Sequence, residues 1–228
     1  MFVPTLGGLL VLSLFTGRSE GQCLEGKLLR SGELNCEEKQ AILDKHNTLR
    51  RHVAIGNVSN QPSAVNMLQM SWDDELAEEA QDWADRCSFE HTPLEQRKLS
   101  RFTYGQNLGM SMNYPVESSL GNAPDFDAAI QDWFNEVYEY GYNGSYNPNS
   151  GHYSQVIWAD SQFVGCGYVY YYNKPAYSKL YVCNYGPGGN IQGRRAYHQG
   201  KPGCTEPDTK PSSEFPGLCQ KSNAEEPC

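Results

Sequence analysis

Three stretches of the chain repeat their apolar positions at helical spacing. Over residues 35–55, Ile42, His46, Leu49 and Val53 share one side, Asn35 and Glu38 are spaced as a capping box, and Gly56 ends the run. Over residues 72–87, Leu76, Ala80, Trp83, Ala84 and Cys87 form a stripe, with Asp73, Asp74 and Glu75 at the positive end of the helix. Over residues 125–140, Phe126, Ile130, Trp133 and Val137 make an apolar face, with Glu136 on its flank. The period then changes. Residues 151–158, GHYSQVIW, read as a strand with His152, Ser154, Val156 and Trp158 on one face. Residues 163–172 and 179–185 read as two more, joined as a hairpin through Asn173-Lys174-Pro175-Ala176. Cys166 and Cys183 are equidistant from the centre of that turn. They should therefore face each other across the pair and form a disulfide.

The pattern dissolves after Tyr197 into a Pro-, Ser- and charge-rich tail, expected as a loop-like appendage held by cysteines. Helices around a few late strands predict one α+β domain with layered packing. No internal repeat is visible.

The N-terminus adds an apolar run from about Leu6 to Phe15, with Ser19 and Gly21 as small residues before Gln22. The run is too short to span a bilayer and suits a signal peptide. Eight cysteines follow it: Cys23, Cys36, Cys87, Cys166, Cys183, Cys204, Cys219 and Cys228. An even count behind a signal peptide implies a disulfide framework and a secreted, extracellular protein. Asn57 and Asn143 open glycosylation sequons in loop sequence. The expected organisation is a signal peptide at 1–21, an N-terminal extension at 22–36, the main domain at 37–200 and a Pro/Cys-containing tail at 201–228.

Charge removes one class of partner. The formal net charge is −9 and no basic cluster exceeds two residues, so nucleic acid is not expected as a partner. No transmembrane segment is expected, and the protein is expected to be a monomer. CxxC and HExxH motifs are absent, and the glycines of residues 186–190, GPGGN, open no helix. Those glycines therefore read as tight-turn chemistry rather than a phosphate cradle. His46 reads as a packed, hydrogen-bonded histidine, His52 and His198 as solvated residues, and Ser154 as a surface hydroxyl.

Several motifs in order resemble the CAP superfamily of cysteine-rich secretory proteins, antigen 5 and pathogenesis-related proteins. They are KHNTLR (45–50), MSWDDELAEEAQDWADRCSFEH (70–91), GQNL (105–108), GHYSQVIWADS (151–161) and LYVCNYGPGGNI (180–191). The loop wording is most similar to arthropod venom allergen 5, which points to venom or saliva as a source. The resemblance implies a three-layer α-β-α sandwich around a central antiparallel sheet. It also implies a cleft lined by two histidines and two acids, which fall on His91, His152, Glu136 and Gln106, the last an amide where the family has an acid. It implies a Cys23–Cys87 disulfide, a bond from Cys36 to a tail cysteine, and a bond between the remaining two, although spacing alone leaves many connectivities open.

Two imidazoles suit a divalent cation such as Zn2+, though no cofactor is required. The same four side chains also suit a hydrogen-bonded network that organises the cleft. The resemblance implies a binding protein, with a lipid, a sterol or a target protein as partner, rather than an enzyme. A metal-assisted endoprotease using His91, His152 and Glu136 is the alternative.

Overall fold

The computed structural model describes residues 23, 26–32, 34–114, 121, 123–142, 147–221 and 228. Its elements in chain order are β1 (Lys27–Ser31), α1 (Cys36–Ala54), β2 (Ser71–Trp72), α2 (Asp74–Ala84), β3 (Gly105–Asn113), α3 (Phe126–Asn135), α4 (Gly151–Val156), β4 (Phe163–Asn173), β5 (Ala176–Gly186), β6 (Thr209–Pro211) and β7 (Cys219–Lys221). The proposed signal peptide and Asn143 lie outside the described residues, whereas Asn57 is exposed just after α1.

The three helices read from periodicity are present, each with a side-chain cap. Asn35 and Glu38 form the capping box of α1. Asp73 accepts the Leu76 N–H at the start of α2, and Asp125 accepts that of Ala128 at the start of α3. Each oxygen takes one of the N–H groups that an isolated helix end leaves unpaired.

The main sheet has the order β1-β4-β5-β3, antiparallel throughout, and β2 adds a short parallel pairing to β4. Period-2 alternation along β4 and β5 divides the core in two. Val164, Cys166, Tyr168 and Tyr170 of β4, with Tyr181, Cys183 and Tyr185 of β5, pack against α1, α3 and α4. Val169, Tyr171, Leu180 and Val182 pack with Ala80 and Ala84 of α2 on the other face. The result is the α-β-α sandwich. The α2 layer sits very close to the sheet: a Cβ on Gly165 would lie 2.2 Å from the Ala77 nitrogen, and one on Gly167 2.5 Å from Gln81. Only glycine permits that approach.

The hairpin forms as expected, with Asn173 paired to Ala176 and Cys166 directly opposite Cys183. That pair is bonded, as are Cys23–Cys87, Cys36–Cys228 and Cys204–Cys219.

Three local expectations change. Residues 151–156 form the helix α4, not a strand. Tyr153, Val156 and Ile157, all fully buried, are spaced three and four apart and make one helical face. The β-rich composition misleads because tertiary packing, not propensity, decides so short a segment. The tail is more than a loop: β6 and β7 pair, Leu218 and Cys219 are buried, and Cys219 exchanges backbone hydrogen bonds with Met67 and Gln69. The glycines of residues 186–190 serve close packing as well as turning, since a Cβ on Gly189 would lie 2.7 Å from the Trp158 ring. Among the described residues no helix is long and apolar enough to cross a membrane.

Candidate functional site

A cleft of about 690 Å³ opens beside the start of β3, lined among others by His91, Arg97, Gln106, His152, Gln155 and Asn190. Each histidine reaches it with a dedicated partner.

His152 is the second residue of α4, and Glu136 stands in the short 3-10 turn that follows α3. Glu136 Oε1 accepts from His152 Nδ1 at 2.6 Å. Its Oε2 accepts the backbone N–H groups of His152 at 2.9 Å and Tyr153 at 3.2 Å. The carboxylate therefore caps α4 and orients the ring at once, and this cap replaces the side-chain cap that Ser150 does not supply. Trp133 of α3 stacks on the imidazole, with ring centroids 6.2 Å apart, and donates its own N–H to the Leu108 carbonyl. The sequence places Glu136 in the cleft, but the carboxylate sits behind His152, with its oxygens turned to N–H groups.

His91 lies in the loop after α2, and its Nδ1 meets Gln106 Oε1 at 3.0 Å. The same oxygen accepts the Thr92 N–H, so it is the acceptor and Nδ1 carries the proton. Gln106 Nε2 donates to Thr92 Oγ1 at 2.9 Å and to Asn184 Oδ1 at 3.1 Å. Partial desolvation holds the His91 pKa below its ordinary value. The Gln106 hydrogen bond opposes that shift, while the charges of Arg97 and His152 add to it. The influence of His152 on His91 reflects two imidazoles sharing one hollow.

Both rings thus donate through Nδ1, which leaves each Nε2 with no hydrogen bond to a described residue. This arrangement fits a metal ligand oriented by an outer partner. Among the described residues no group of three or more His, Cys, Asp or Glu side chains is placed to hold a metal ion.

A second layer was not legible from motif spacing. Asn107 donates to the His152 carbonyl and to the Tyr185 hydroxyl, and that hydroxyl meets His46 Nε2 at 2.9 Å. His46 Nδ1 ends the chain on the Ile42 carbonyl. His46 is thus the packed, hydrogen-bonded histidine expected, and burial lowers its pKa to about 4. Ser154 is buried rather than a surface hydroxyl, and it donates to Asn190 Oδ1 at 2.6 Å, tying α4 to the glycine-rich turn. Gln155 accepts the Gly189 N–H of the same turn. His198 is exposed, and His52 is half-buried.

Comparison with known proteins agrees with the fold. The profile of the CAP, or cysteine-rich secretory protein, family matches residues 43–185. A cysteine-rich venom protein of Tityus serrulatus is 39% identical over 88% of this chain, which spans half the length of that relative. Salivary antigen-5 of Dipetalogaster maximus is 33% identical over 95% of this chain and 89% of its own. Among solved structures, NaASP2 with Zn2+ superposes with a TM-score of 0.64 at 31% identity, covering 82% of this chain and 96% of that one.

Proposed function

The chain belongs to the CAP family of cysteine-rich secretory proteins and is secreted and extracellular, and from that premise we propose that it acts by binding a target at the cleft rather than by catalysis. The observation that carries this reading is the state of the two positions where acids would serve as bases. Gln106 has both ends of its amide engaged, and Glu136 has both oxygens engaged by N–H groups. A general base needs a free, proton-accepting atom within reach of substrate.

His91 and His152 would hold a divalent cation such as Zn2+ through Nε2, and the solved relative NaASP2 with Zn2+ supports that choice. When bound, the cation offers a Lewis-acidic position for an oxygen ligand. The chain's own residues orient the two rings. Imidazole, guanidinium and amide groups beside Leu94 and Ile191 suit a segment of a target protein, which offers polar and aliphatic groups together.

The test compares hydrolysis of a fluorogenic peptide pool, with Zn2+ present, by the disulfide-intact protein and by His152→Ala. Equal rates are expected. Faster cleavage by the unaltered protein overturns the reading in favour of a metal-assisted protease.

A further inference from the structure

We propose that the cleft recognises a carboxylate presented by a peptide, which serves as the third donor, beside His91 and His152, to a divalent cation. This inference rests on the cation reading above and deepens it.

Three observations lead to it. First, the cleft presents the imidazoles of His91 and His152, and among the described residues no group of three or more His, Cys, Asp or Glu side chains is placed to hold a metal ion. Gln106 stands behind His91, with its oxygen shared between His91 Nδ1 and the Thr92 N–H. Its nitrogen is held by Thr92 and Asn184, so the amide is locked against turning. A cation on two imidazoles is under-coordinated, and a zinc site with fewer than four protein ligands completes itself from outside. An external anionic oxygen fills a position that His91 and His152 leave open.

Second, the wall beside these rings is cationic. Arg97 lines the cleft, and its charge is felt at His91. A guanidinium near the entry favours a carboxylate over a neutral oxygen such as an amide or an alcohol.

Third, the cleft carries two exposed apolar side chains, Leu94 at 78% and Ile191 at 44% exposure. They offer aliphatic contact to whatever flanks the carboxylate. That combination suits a peptide rather than a bare inorganic anion. Carboxylates come from a chain terminus or from an acidic side chain, and the chemistry at the cation is the same for both.

The experiment is calorimetry on the full, disulfide-intact chain. Zn2+ is titrated alone and then in the presence of four probes. These are an N-acetylated apolar dipeptide with a free α-carboxylate, its C-terminal amide, an amide carrying one side-chain carboxylate, and acetate. The expected result is that one or both carboxylate peptides tighten Zn2+ by about tenfold or more, that Zn2+ tightens the peptide by the same factor, and that the amide changes nothing. Which carboxylate peptide responds identifies the source, and a smaller response to acetate measures the contribution of Leu94 and Ile191. The coupling is expected to vanish in His91→Ala and, independently, in His152→Ala, each checked for folding by circular dichroism.

Zn2+ binding that is lost in both variants yet indifferent to every carboxylate overturns this inference and leaves the cation reading intact. No Zn2+ binding, with or without carboxylate, overturns both. Equal coupling by the amide, or coupling that survives in both variants, also overturns the inference.

Discussion

Glu136 holds His152 at two points, taking the ring Nδ1 proton on one oxygen at 2.6 Å and the backbone N–H on the other at 2.9 Å. One carboxylate thus starts a six-residue helix and selects the tautomer of the imidazole that the helix presents. Helix formation and site geometry are the same interaction here. The family acid at this position therefore reads as a positioning group.

Replacing it tests that role. In Glu136→Gln the amide nitrogen must face N–H donors, and the charge that favours the helix N-terminus is gone. The expected loss is about 2 kcal/mol, seen as a fall in Tm of roughly 4–8 °C for a chain of this size. The His152 ring should also lose its tautomer preference, which nitrogen-15 shifts of the imidazole report directly. A Tm within 1 °C of the unaltered protein, by the same criterion, would show that the cap contributes nothing.

The opposite change at the other pair should behave differently. Gln106→Glu places an anion beside His91 Nδ1 but removes the N–H donors that Thr92 Oγ1 and Asn184 Oδ1 now receive. Asn184 cannot simply turn, because its Nδ2 is donated to the Leu76 carbonyl. The expected outcome is a stability loss of about 2 kcal/mol together with a His91 pKa moved upward by the new charge. Zn2+ affinity should rise by about tenfold, because a carboxylate partner makes the imidazole a stronger donor. Calorimetry and a proton NMR titration of His91 measure the two halves. A gain in affinity without an upward pKa shift would separate the metal effect from the hydrogen bond.

How much of this was legible in the sequence follows from the kind of signal each part leaves. The three long helices show in the spacing of Leu76, Ala80 and Ala84 and their counterparts, because each buries one broad stripe. The Cys166–Cys183 bridge follows from counting outward from a tight turn. The helix α4 was hidden because its cap comes from Glu136, sixteen residues away in sequence and invisible to any local rule. The edge strand β3 carries the motif GQNL, but it holds glycine and small polar residues, which give no alternation to read. The four site positions came from resemblance. Their pairing, acid behind one ring and amide behind the other, needed the fold. The polar residues of KHNTLR show the same limit: Asn47 and Arg50 are fully buried although their chemistry reads as surface.

His46 makes stability depend on acid. Desolvation lowers its pKa from 6.5 to about 4, with the Arg50 charge pushing the same way and the Ile42 carbonyl opposing it. The unfolded chain takes up this proton as pH drops below 6.5, whereas the folded protein refuses it until about 4. Stability from this group is therefore complete above that window and falls as pH falls through it, by roughly 3 kcal/mol in all. Protonated His46 could no longer accept from the Tyr185 hydroxyl, so the relay through Asn107 to the His152 carbonyl breaks at its first link. Urea midpoints measured from pH 7 to pH 4 should decline more steeply for the natural protein than for His46→Gln, which carries no ionisable ring. Parallel declines would remove His46 from the account.

Arg50 offers the sharpest test of how the cleft is held from beneath. Its guanidinium is fully buried and donates to the carbonyls of Leu68, Val156, Trp158, Ala159 and Ser161, at 2.7–3.2 Å. Burial lowers its pKa to about 9, which still leaves it charged at neutral pH. Those carbonyls belong to the end of α4, the turn into β4, and the approach to β2, so one side chain gathers three segments. Lysine carries the same charge but presents three donors from a single point and cannot span the five carbonyls. Arg50→Lys should therefore cost about 3–5 kcal/mol, a fall in Tm of roughly 6–20 °C, despite conserving charge. Since Val156 ends the helix whose second residue is His152, the same change should weaken Zn2+ binding at the cleft although Arg50 does not line it. Calorimetry below the lowered Tm distinguishes the two effects, and unchanged Zn2+ affinity in a destabilised Arg50→Lys protein would show that the clamp holds the core without steering the site.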